Sequence, residues 1–178
     1  MKKIIILLLV VAAVYAFFSR TPKTENEPVP QPVQQSLSPQ AGLPVVVEAK
    51  RQAIYRAARS GSYEQLAAEA ETPFGYSYGD PETDFVTFLK NAATHEGKSA
   101  LDMIPLLLAQ PYGVQGNIYV WPGVFAKSAE EWTDADIVQM KQLLTDEQIE
   151  GYRQFGAYAY YRIGITTEGK WVYYIAGD

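Results

Sequence analysis

Cysteine is absent from the 178 residues and histidine occurs once, at His95. Without cysteine no disulfide can form, so the folded part has to hold by packing alone. Zinc sites built from Cys and His, Cys–His nucleophilic pairs and a lipid-modified cysteine behind an export signal are excluded with it. His95 stands in the polar stretch "AATHEGKSAL", with no G-x-S-x-G elbow in the chain, and reads as a solvated surface histidine. The neighbouring Gly97-Lys98-Ser99 is no phosphate loop. The first glycine of that pattern would fall on Ala92, and a helical segment precedes it where a strand is required.

Basic residues are also scarce. From Val45 to Asp178 there are 11 Lys and Arg against 18 Asp and Glu, a balance of −7. Phosphate binding is driven by cationic side chains, so nucleic acid and an anionic membrane surface are both disfavoured as partners. The acids Glu130, Glu131, Asp134 and Asp136 gather at a helix start, where the dipole favours them without any further role. No D-x-[DN]-x-[DN]-G calcium loop is present. The sequence therefore assigns no metal and no cofactor. With 18 acids in the domain, carboxylates about 5 to 10 Å apart across a cleft remain an alternative, an envelope hydrolase.

The chain begins "MKKIIILLLVVAAVYAFFSR", an unbroken apolar run from Ile4 to Phe18 behind two lysines. As a helix this run reaches about 22 Å, short of the roughly 30 Å hydrocarbon core. Val14-Tyr15-Ala16 offers a signal-peptide cut after Ala16. Phe17 and Phe18 prolong the run past that cut, and Arg20 can snorkel to the far interface, which favours an anchor that stays. Residues 1–20 are thus a signal peptide or an N-terminal anchor. Either way the lysines remain cytoplasmic and the rest is extracytoplasmic, anchored by residues 4–18 or released near Ala16, with membrane contact only through this segment. Residues 21–44 hold six of the 11 prolines and no aromatic residue, the composition of a disordered linker. In a polyproline II conformation it reaches on the order of 70 Å.

Residues 45–178 read as one domain, large enough for a single core. Its first half is helical, with Val47, Ile54, Ala57 and Ala58 at near-helical spacing, a break at Ser60-Gly61 and a restart at Ser62. "TPFGYSYGD" reads as a loop, Asp80-Pro81 as a helix start, and a helix from Ser99 carries Pro105 inside it, predicting a kink or restart. "NIYVW" suits a strand, and Thr133 and Thr145 look like N-caps, the latter with Gln148 in a capping box. The end of the chain forms a hairpin about Glu168-Gly169. These elements predict an α+β fold, several short helices packed on a small antiparallel sheet that includes the C-terminal β-hairpin and the Ile118 to Trp121 segment.

"YVWP", "FGAYAYYRIGI" and the final "KWVYYIAGD" together resemble a family of uncharacterised bacterial exported or membrane-anchored proteins that end in W-x-[FY]-[FY]-[VI]-A-G-D. The resemblance implies the layout of signal-like N-terminus, proline-rich stretch and helical first half. It implies no reaction. Pro105 departs from it, lying in a segment that in the family is an unbroken leucine-rich helix.

Aromatic residues are the most informative chemistry present: the last 27 residues hold six tyrosines, one phenylalanine and one tryptophan. Side chains alternate along a strand, so Tyr158, Tyr160 and Tyr161 cannot all share a face, nor can Tyr173 and Tyr174. One set packs on the helices. The other faces water or a partner, and Tyr119, Trp121 and Tyr174 are the candidate binding surface, of the kind that stacks on sugars or peptides. Arg162 and Asp178 form a candidate structural ion pair at the hairpin's end. The function that fits is a non-catalytic binding or interaction module of the cell envelope whose partner is a protein or glycan. A pocket for a small ligand between helices and sheet is the second alternative.

Overall fold

The computed structural model describes residues 36–76, 84–91 and 98–176. Residues 1–35, the Asp80-Pro81 helix start, His95, Gly97 and Asp178 lie outside the described residues, and with them the export segment and most of the expected linker. Among the described residues no helix is long and apolar enough to cross a membrane.

The α+β expectation holds: six short α-helices and a five-stranded sheet are present among the described residues. Helices α1 (Val45–Arg59) and α2 (Tyr63–Ala67) lead into β1 (Ala70–Tyr76), then α3 (Phe85–Asn91) and α4 (Ala100–Ala109) follow. The chain continues through β2 (Gly113–Gln115) and β3 (Ile118–Trp121), two 3-10 turns (Gly123–Ala126 and Ala129–Glu131), α5 (Asp134–Met140) and α6 (Asp146–Phe155). It closes with β4 (Arg162–Thr166) and β5 (Trp171–Ile175). The order in the sheet is β1-β5-β4-β3-β2. Strands β2 to β5 are antiparallel, as the hairpin and the third strand required, but β1 joins β5 in parallel and makes the sheet mixed.

Local chemistry sets most helix starts. Ser62, Ser99, Thr133 and Thr145 each accept a hydrogen bond from the backbone N–H three residues on, which satisfies a donor the helix leaves over. Asp84 does the same for Thr87 at the start of α3. Helix α4 runs through Pro105 without a restart. Pro105 leaves the Leu101 carbonyl without its usual donor, and the burial of Met103, Ile104, Leu107 and Leu108 along the same helix outweighs that loss.

The core lies between the helices and one face of the sheet, where Trp121, Ile163, Ile165, Trp171 and Tyr174 meet Val47, Ile54, Met103, Leu107 and Leu108. Tyr158 and Tyr160 are buried and Tyr161 stacks on Tyr174 at 5.1 Å, so all three serve the core. The alternation argument fails for them because β4 begins only at Arg162.

The opposite face has a different character. Register places Gly75, Tyr173, Gly164, Val120 and Gly113 in one row across all five strands. The ring of Tyr173 lies over Gly164, where an added Cβ would overlap it, and the first 3-10 turn seats Ala126 on Gly113. Burial pushes the Tyr173 hydroxyl up to about 12. Gly164→Ala should therefore cost about 1 to 3 kcal/mol in urea unfolding, and Gly164→Ala combined with Tyr173→Ser should cost less than the sum of the two single changes.

Candidate functional site

Residues 36–44, the last nine of the expected linker, are ordered against the domain and form a strap. Gln52 of α1 receives the Leu37 N–H on Oε1 at 3.1 Å and donates from Nε2 to the Leu37 carbonyl at 2.8 Å. Arg51 donates from Nη1 to the Ser38 carbonyl at 3.3 Å. The Tyr112 hydroxyl donates to the Ala41 carbonyl at 3.2 Å. Gln40 accepts from Trp121 Nε1 at 3.0 Å and donates to the Gln110 carbonyl at 2.6 Å. The composition of this segment gives no hint of this. Its partners lie on α1, at the end of α4 and on β3.

Arg51, 1% exposed, is the centre of this arrangement. Its Nε and Nη2 both donate to the Leu108 carbonyl, at 2.9 and 2.8 Å, near the end of α4, where helical carbonyls lack internal donors. Nη1 reaches both carboxylate oxygens of Glu48. Burial lowers the Arg51 pKa and the Glu48 charge raises it, with a lowered value as the net result.

Beside the strap the sheet ends in an aromatic corner. Val114 on β2 pairs with Tyr119 on β3, and the Tyr119 ring lies 5.6 Å from that of Tyr112. Tyr112 in turn lies 6.2 Å from Trp121, which forms the floor. Val114 is 51% exposed and both tyrosines are half-buried. Two rings and an exposed aliphatic side chain on one corner are suited to stacking on a flat apolar ligand face.

The structure separates the three residues of the expected surface. Tyr119 stays at the surface, in the corner. Trp121 is 0% exposed with its indole N–H taken by Gln40, and Tyr174 is 1% exposed between Tyr161 and Phe88. Neither ring has a face left for a ligand, because the core-facing side of each strand is roofed by helices and, at Trp121, by the strap. Tyr112 and Val114 were missed. Their signal was the two-residue connection between β2 and β3, which brings "YGV" back against "IYV".

Arg162 is buried and its guanidinium lies 4.3 Å over the ring of Phe125, a cation–π contact. Its expected partner Asp178 lies outside the described residues. Of the four acids at the helix starts, Glu131 and Asp136 are used by caps. Glu131 closes a box with Ser128, and Asp136 closes one with Thr133 while pairing with Lys127 at 2.8 Å. Burial raises the Asp136 carboxyl, but Lys127 and the Thr133 donors outweigh it and leave its pKa lowered. A depressed carboxyl contributes stability that is present above its unfolded value of about 3.9 and is lost as pH falls through the folded one. Asp136→Asn should flatten that acid limb of the stability profile, read by thermal melts below pH 5. Among the described residues no group of three or more His, Cys, Asp or Glu is placed to hold a metal.

Comparison with protein-family models, curated proteins and solved structures found no match.

Proposed function

We propose that the chain is a non-catalytic interaction module of the bacterial cell envelope, carried outside the cytoplasm by its N-terminal segment. The observation that carries the reading is the aromatic corner, in which Val114, Tyr112 and Tyr119 offer an apolar surface at the sheet's end instead of burying it. The signal-like apolar run and the resemblance to exported proteins support the location. The use of Asp102, Glu131 and Asp136 in helix caps supports a binding role over a pair of working carboxylates. Trp121, packed under Gln40 and Tyr112, likewise favours a surface over a pocket beside it. The partner is an envelope protein or glycan that presents a flat apolar face to the corner.

A photo-crosslinking residue at Val114 tests this in cells. A defined crosslinked product from position 114, and none from the still more exposed Val138 on α5, is expected. Position 114 giving no product, or the same products as position 138, would overturn it. Purified peptidoglycan sacculi provide the second arm: sedimentation of the full chain with sacculi, lost with Tyr119→Ser, identifies a glycan.

A further inference from the structure

The strap is held as a receptor holds an extended peptide. It belongs to no helix or strand, and its hydrogen bonds to the domain are made by the side chains of Gln52, Arg51, Tyr112 and Trp121 and by one carbonyl, that of Gln110. Three backbone positions are read, at Leu37, Ser38 and Ala41, while side-chain recognition falls on Gln40 and on Leu37 and Leu43, both packed against the core. The ligand so defined is an extended segment with an apolar residue and, three positions later, a glutamine.

We propose that this groove is a peptide-binding site whose alternative occupant is the strap of a second copy of the chain, the two copies exchanging straps reciprocally. A second copy carries the one segment whose fit the structure already displays. The turn that returns the strap onto its own α1 is built on Gly42, at φ +87°, a conformation that favours glycine. Straightening that turn carries the strap away from its own groove, and every donor it leaves must be satisfied again. Exchange restores each contact unchanged and gives an isologous dimer. The closed form is favoured by an effective concentration on the order of millimolar for so short a connection, so exchange requires crowded copies. A membrane-held chain meets that condition, which extends the envelope reading without depending on the aromatic corner.

Native mass spectrometry of the full chain ejected directly from lipid vesicles, over protein-to-lipid ratios that carry the local concentration into the millimolar range, tests the exchange. The wild type should show a dimer fraction that rises with concentration, and Gly42→Ala, which strains the closed turn of each of the two copies, should raise the dimerisation constant about thirtyfold, the effect of roughly 1 kcal/mol per turn. Leu37→Asp with Gln40→Ala should abolish the dimer. When this strap variant is mixed with a groove variant, Gln52→Ala with Trp121→Phe, a heterodimer should form although neither dimerises alone. A chain that stays monomeric at all concentrations with and without Gly42→Ala would overturn the proposal, as would a dimer that survives the strap substitutions. Should the strap variant lose its fold, otherwise native chains supply the readout, because the protein has no cysteine of its own. Leu37→Cys in one tagged copy and Gln52→Cys in another should be joined between copies by a short bis-maleimide that spans the length of the glutamine side chain, and absence of that product would contradict exchange.

Discussion

Arg51→Ala lowers the stability of the domain by about 3 to 5 kcal/mol, the cost of removing one partner from a buried charged network. The loss has three sources. The Leu108 carbonyl at the end of α4 loses both of its donors from Arg51, Glu48 keeps a carboxylate whose side chain is 19% exposed, and the Ser38 carbonyl of the strap is released. Arg51→Lys recovers little, since an ammonium cannot reach the Leu108 carbonyl through two nitrogens and still lie against Glu48. Glu48→Gln is expected to cost less than Arg51→Ala, because the guanidinium keeps its two bonds to Leu108. Urea unfolding of the three variants checks the order, and amide exchange at Leu37 should quicken in Arg51→Ala before global unfolding sets in.

Trp121→Ala costs about 3 to 5 kcal/mol as well, for a different reason. The indole is closed on one side by core residues and on the other by Gln40 and Tyr112, so truncation leaves a cavity and frees the Gln40 oxygen. Trp121→Phe keeps a ring in the space and loses the hydrogen bond, so its cost should be a fraction of the alanine variant's. Tyr119→Ala, with its ring half in water, should cost less than Trp121→Ala. A Tyr119→Ala variant as unstable as Trp121→Ala would mean that the corner is core and offers no surface. Thermal melts and near-ultraviolet spectra of the three chains decide it.

The elements that the sequence discloses are those whose cause is local. Ser99, Thr133 and Thr145 announce helices because the cap and its third neighbour are adjacent in the chain. The β4–β5 hairpin shows in two runs of β-formers about Glu168-Gly169, and β3 in "IYVW". Strand β1 stays hidden because Pro73 and Gly75 weaken it as a strand, and its parallel partner lies about a hundred residues away. Edge position tolerates both residues. The strap is hidden for a related reason, since its proline and glutamine read as linker until Gln52, Arg51 and Trp121 are brought around it.

The candidate surface was legible in part. Side-chain alternation puts Tyr119 and Trp121 on one face of β3, but it cannot say how far the helices extend over that face. The cover reaches Trp121 and stops before Tyr119. Tyr174 is covered by α3 through Phe88 and by the segment before β4 through Tyr161, both remote from it in sequence. Charge and composition, by contrast, bear on partners without reference to the fold, and they disfavour nucleic acid on the balance of acids and bases alone.

The position of the domain outside the cytoplasm is open to a direct test, because the chain has no cysteine of its own. Glu168→Cys places one thiol in the exposed β4–β5 turn. Bacterial cells expressing this full chain, with only the outer permeability barrier opened, are treated with a maleimide that does not cross the cytoplasmic membrane. Labelling of position 168 in intact cells, with a cytoplasmic single-cysteine protein left unlabelled beside it, is the predicted result. Labelling that appears only after lysis would contradict the account and return the domain to the cytoplasm.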